Sequence, residues 1–122
     1  MILTVADDLA DGVCLPCRTG TAPVSPGERD ALLRQVPGWT LAADGRCIGR
    51  RYELRDFAAA FRFVSRIAAL AEAQNHHPDL CLGWGYVTAS LQTHAIDGLH
   101  RNDFIMAAQI ERASDAVSGD GS

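Results

Sequence analysis

Residues 56–93, DFAAAFRFVSRIAALAEAQNHHPDLCLGWGYVTASLQT, contain a helical period followed by a strand period, and Pro78 separates the two. Phe57, Phe61, Val64, Ala68 and Ala71 fall at helical spacing, with Phe63, Ile67 and Leu70 widening the apolar stripe. Arg62 and Arg66 lie opposite it, and Asp56 is the expected N-cap. The residue before a proline is pushed out of the helical region, so the helix must stop before Pro78. His76 and His77 are therefore expected at or just past its C-terminus. Beyond them, LCLGW (80–84), a turn near Gly85 and YVTASLQT (86–93) read as a hairpin. Val87, Ala89 and Leu91 alternate with Thr88, Ser90 and Gln92, which predicts one buried and one polar face.

The upstream half has a similar plan. SPGE (25–28) starts a short helix, with Ser25 as N-cap, Pro26 at the first position and Glu28 closing a capping box. VPGW (36–39) stops it, and Trp39 to about Leu54 reads as two strands around the turn ADG (43–45). After HAIDGL, residues 101–113 form a last helix with Ile105, Ala108 and Ile110 inward. The order α-ββ-α-ββ-α predicts an α+β fold: a four-stranded antiparallel sheet with helices packed on one face and the other face open. Residues 1–24 are read as an N-terminal extension, 25–116 as a single domain and 117–122 as a disordered tail.

Composition narrows the function classes. At 122 residues the chain has room for one core. A net charge of −4 argues against a broad nucleic-acid or anionic-membrane surface. All eleven basic residues are arginine and alanine is abundant, a bias of GC-rich bacterial codon usage, not of mechanism. No apolar run approaches the about 18 residues of a membrane span. MILTVADDLADG lacks a basic n-region, so no signal peptide is expected and the chain is expected in the cytoplasm with reduced thiols.

The chemistry-bearing residues admit sharp and bland readings. A helix C-terminus favours imidazolium, which makes His76 and His77 candidate acids near neutral pH. His94 follows Thr93 at the end of a strand, and Asp103 lies in the first turn of the last helix, where a carboxylate is favourable without any function. Three histidines would also satisfy a catalytic zinc shell, but adjacent residues diverge and no H-x-x-x-H pair exists. CLPC (14–17) is half a zinc site, a redox dithiol or two reduced cysteines ordering a loop. Cys47 and Cys81 read as small hydrophobes in strands, and His100 as a solvated loop residue at the expected cap of the last helix.

Taken together the spacing resembles the pterin-4a-carbinolamine dehydratase family. Its pattern is met by Glu72, three residues, His76-His77-Pro78, five residues, Trp84, nine residues, His94, eight residues and Asp103. PGW (37–39), THxxxGL (93–99) and RxDF (101–104) are similar to the family as well, so the likeness covers about residues 37–112. The extension's CxPC is similar to that of longer bacterial members. Leu80 and Cys81 stand where some members have aromatics, and His100 where Ser or Thr is common.

The resemblance implies dehydration of a 4a-hydroxytetrahydropterin to quinonoid dihydropterin, as in tetrahydrobiopterin recycling. It implies His76 and His94 as general acids at the 4a-hydroxyl, with His77 binding the pterin and able to assist as base. Glu72 and Asp103 would orient imidazoles or the pterin's polar edge, Thr93 would offer a ligand hydrogen bond, and Trp84 is counted with the substrate-binding residues. No metal or separate cofactor is expected, since the pterin is the substrate. A homodimer or homotetramer is implied, with metabolic coupling to an aromatic amino acid hydroxylase. A non-enzymatic dimerisation or assembly scaffold of the same fold is the alternative.

Overall fold

The structure, a computed structural model, describes residues 9–15 and 20–119, with side chains through Asp115. Its elements are α1 (Pro26–Arg34), β1 (Thr40–Leu41), β2 (Ile48–Glu53), α2 (Phe57–Gln74), β3 (Asp79–Gly83), β4 (Tyr86–Leu91), a single 3-10 turn (His94–Ile96) and α3 (Arg101–Gly119). The four strands form one antiparallel sheet in the order β1-β2-β4-β3, so both hairpins meet along the β2–β4 seam.

The expected N-caps form at Ser25 and Asp56, and among the described residues the capping box forms through its Ser25 half alone. The Glu28 amide donates to Ser25 Oγ at 3.2 Å, and the Ala59 amide to Asp56 Oδ1 at 2.8 Å, satisfying donors that a first turn leaves open. The stop of α2 differs in agent from the expectation. Asn75 adopts the left-handed conformation at φ 53°, and the His76 amide donates back to the Ala71 carbonyl at 3.1 Å. This is a Schellman-type ending, which asparagine tolerates better than most residues, so the helix closes three residues before Pro78.

Alternation sets the sheet faces. Val87, Ala89 and Leu91 of β4 are buried, and Ile48 and Tyr52 of β2 stand across from Leu91 and Val87. Leu80 and Leu82 of β3 complete the inner face opposite Ala89 and Val87. The helices pack there, with Phe63, Ile67 and Ala71 of α2 and Phe104, Met106 and Ile110 of α3 in one core. Each large apolar side chain so buried contributes about 1.5–3 kcal/mol. Tyr52 meets Phe63 edge to face at 4.8 Å, and its hydroxyl donates to Glu111 Oε1 at 2.6 Å. Burial pushes the Tyr52 phenol well up from its ordinary value.

Several expectations need correction. Phe57 and Phe61 point outward, because the buried stripe of α2 runs through Ala59, Ala60, Phe63, Ile67 and Ala71 instead. Cys81 is exposed, since Leu80 and Leu82 take the inward positions of β3, and Cys47 is half-buried one residue before β2. The last helix continues to Gly119, so residues 117–119, assigned above to a disordered tail, are helical. Leu9 and Ala10 of the extension are buried in the core and so belong to the packed body. Cys17 and residues 120–122 lie outside the described residues. Among the described residues, no helix is long and apolar enough to cross a membrane.

Candidate active site

The site is built around Asp103, whose side chain is fully buried. A buried carboxylate is costly unless its charge and lone pairs are met. Here Oδ1 is 2.6 Å from His76 Nε2, while Oδ2 accepts from Thr93 Oγ1 at 2.8 Å and from the His100 amide at 3.0 Å. An ionised carboxylate only accepts hydrogen bonds, so His76 Nε2 must carry the proton. That leaves His76 Nδ1 as the nitrogen open to exchange a proton in the neutral ring.

Three local structures bring these groups together. The left-handed turn at Asn75 takes His76 out of α2. An isolated bridge, with the Thr93 amide donating to the Gly98 carbonyl at 2.9 Å, closes the 3-10 turn and fixes Thr93 in the interior. The third is the start of α3. His100 Nδ1 accepts from the Asn102 amide at 3.1 Å while Asp103 accepts from the His100 amide, a reciprocal cap in which histidine takes the usual serine role. His100 is thus a helix cap and not the solvated loop residue expected from its context.

In front of Asp103 lies a cavity of about 450 Å³. His76, His77, Thr93 and His94 all line it, as the sequence pattern groups them. His76 has only 12% of its side chain exposed, whereas His94 is exposed on the 3-10 turn. His77 Nε2 lies 2.5 Å from Glu72 Oε2, but this pair is largely in solvent, where such contacts contribute little. The two neighbouring imidazoles therefore turn to different carboxylates. Among the described residues, no three His, Cys, Asp or Glu side chains are grouped to hold a metal ion.

Trp84 does not join the site. It occupies the β3–β4 turn with 73% exposure, and the strand between it and His77 spans about 16 Å. Conversely, Cys14, Leu15, Gln74, Asn75, Gln92, Ala95 and Asn102 line the cavity without having been singled out for it. Gln74 and Asn75 directly precede the histidine pair and Asn102 directly precedes Asp103, so adjacency was the available signal. Burial pushes the Cys14 thiol up to about 11, and the nearby Asp103 charge adds to the effect. Cys14 is thus a neutral wall residue near pH 7 and a poor nucleophile.

Over most of its length the chain is similar to known proteins. A family model described as Pterin 4 alpha carbinolamine dehydratase matches residues 22–113. A candidate pterin-4-alpha-carbinolamine dehydratase of Halorhodospira halophila is 48% identical over 103 residues, spanning 84% of this chain and 94% of its own. Another, of Azoarcus sp., is 45% identical over 115 residues, spanning 94% and 95%. Among solved structures, a transcriptional coactivator/pterin dehydratase from Brucella melitensis superposes with a TM-score of 0.72 at 28% identity, over 75% of this chain and 97% of that one.

Proposed function

The chain belongs to the pterin 4 alpha carbinolamine dehydratase family, and from that premise we propose that it removes water from a 4a-hydroxytetrahydropterin with histidines as acid and base. The observation that carries this reading is the His76–Asp103 contact at the wall of a cavity that His77 and His94 also line.

The reaction needs one proton delivered and one removed. The N5 lone pair forms the C4a=N5 bond as the C4a–O bond breaks. Hydroxide is a poor leaving group, so the oxygen must take a proton and depart as water, while the N5 proton passes to a base. The product is the quinonoid dihydropterin, and the net charge is unchanged. Imidazole serves both steps near neutral pH, and such transfers typically contribute about 10²–10⁴-fold.

His76 suits the acid role because Asp103 holds its Nε2 proton, leaving Nδ1 to carry the proton that is given up. His94, exposed and lining the same cavity, is the second acid candidate. His77 binds the pterin and can assist as base, steered by Glu72. Thr93 directs its hydroxyl proton to Asp103, so it orients the carboxylate and can meet a ligand only as an acceptor. No cofactor beyond the pterin enters this scheme. An aromatic amino acid hydroxylase is the class of enzyme that would supply the substrate.

A stopped-flow dehydration assay on synthetic 4a-hydroxytetrahydropterin tests the proposal. Dehydration well above the spontaneous rate supports it, and a rate equal to the spontaneous one removes it.

Self-association is supported by a different feature. Phe57 and Phe61, one turn apart on the outer face of α2, are 49% and 59% exposed. Such a pair favours self-association through this helix, giving the homodimer or homotetramer that the resemblance implies. Light scattering of the wild type and of Phe61→Ala measures it, with a smaller particle expected for the variant.

A further inference from the structure

The family match begins at residue 22, yet a segment before it reaches the cavity. The Gln74 carboxamide accepts from the Cys14 amide at 2.8 Å. Asn102 grips the next residue twice, its Oδ1 accepting from the Leu15 amide at 2.9 Å and its Nδ2 donating to the Leu15 carbonyl at 2.6 Å. Asn102 is only 2% exposed, so both of its polar atoms are committed to this backbone. A third carboxamide, Gln109, donates to the carbonyls of Ala10 and Gly12 at 3.0 and 3.2 Å. The segment is therefore held largely by its main chain, with the Cys14 thiol adding a contact to the Asn102 carbonyl at 3.6 Å.

That arrangement decides what the segment can offer a ligand. The Cys14 and Leu15 amides and the Leu15 carbonyl are consumed, which leaves the Cys14 carbonyl and the two side chains at the cavity wall. Of the side chains, one is a protonated thiol already turned to the Asn102 carbonyl and the other an isobutyl group that is 65% exposed. Neither can pair with the polar pyrimidine edge of a pterin as an ion or a strong hydrogen-bonding group. Both suit an uncharged carbon-bearing portion, and an exposed leucine at a cavity wall gains by being covered.

We propose that residues 12–15 form a strap latched by Asn102 and Gln74, and that Leu15 contacts an uncharged part of the bound substrate and so contributes to its affinity. The proposal rests on the dehydratase reading above. Binding that is equal in ground and transition states moves KM and not kcat, which separates this role from the acid–base one.

The test is steady-state dehydration by the full chain, comparing wild type, Leu15→Ser, Leu15→Met and Asn102→Ala, with a thermal melt of each. Leu15→Ser is expected to raise KM about fivefold or more with kcat within about twofold and an unchanged melting temperature. Leu15→Met, which keeps the apolar contact, recovers most of the affinity. Asn102→Ala shifts KM the same way. If it fails to fold, the Leu15 pair carries the test alone. A wild-type KM in Leu15→Ser, or equal losses in Leu15→Ser and Leu15→Met, overturns the strap while leaving the dehydratase reading intact. A wild-type chain no faster than the spontaneous reaction overturns both.

Discussion

Asp103 and His76, 27 residues apart in sequence, meet at 2.6 Å with the carboxylate buried and the imidazole bordering the cavity. An ionised carboxylate here fixes which ring nitrogen holds the resting proton, so in the proposed reaction it acts through the histidine. Asp103→Asn keeps the size but replaces an acceptor-only carboxylate with an amide, so His76 loses the partner that fixes its Nε2 proton. We expect kcat to fall by about tenfold or more with a smaller change in KM, measured by steady-state dehydration. An unchanged kcat would confine Asp103 to helix capping.

The two neighbouring histidines should separate kinetically. His76→Ala is expected to lower kcat by about 10²-fold, the low end for a lost general acid. His77→Ala, whose ring contacts an exposed glutamate, should act mainly on KM. Equal kcat losses in the two variants would contradict this division.

Asn75 gives a prediction about stability. At its positive φ of 53° a glycine is at no disadvantage, whereas alanine is strained. Urea unfolding of Asn75→Ala should show a loss of about 1 kcal/mol, and Asn75→Gly a change near zero. A stable alanine variant would mean that the left-handed turn is not what ends α2.

The interior and exterior phenylalanines of α2 should differ sharply. Phe63 is fully buried, so Phe63→Ala is expected to cost about 3–5 kcal/mol in denaturant unfolding. Phe61→Ala, on the exposed face, should leave the stability of the subunit within about 0.5 kcal/mol. The comparison tests the phase of the helix directly.

Cys14 predicts a pH effect. Its thiol is raised from 9.0 to about 11 in the folded chain, so between these values the unfolded state binds fewer protons than the folded one. Stability contributed by this group is therefore lost as pH rises above about 9. Alkylation followed by mass spectrometry should find Cys81 labelled well before Cys14 at pH 8, since Cys81 is exposed. Faster labelling of Cys14 would contradict the burial argument.

Much of the fold is legible in the residues. Ser25 and Asp56 act as caps, and the alternation of Val87, Ala89 and Leu91 marks the inner face of β4. The phase of α2 is less legible, because Phe57 and Phe61 carry a helical period of their own beside that of Phe63, Ile67 and Ala71. The grouping of His76, His77, Thr93, His94 and Asp103 follows from a spacing pattern, which records order along the chain and not proximity. Trp84 shows that difference, since it satisfies the spacing and stands at the far end of a strand. Cys14 and Leu15 of the strap open the CLPC motif, but nothing in that motif points to the cavity, and only tertiary contacts bring them there.

One carboxylate closes the first turn of α3 and also steadies the His76 ring. Helix fraying and loss of acid–base geometry are thereby the same local event. On heating, activity should fade at the temperature where that turn opens, ahead of the global melt reported by the core. The chain's dehydration rate would then serve as a thermometer for one helical turn.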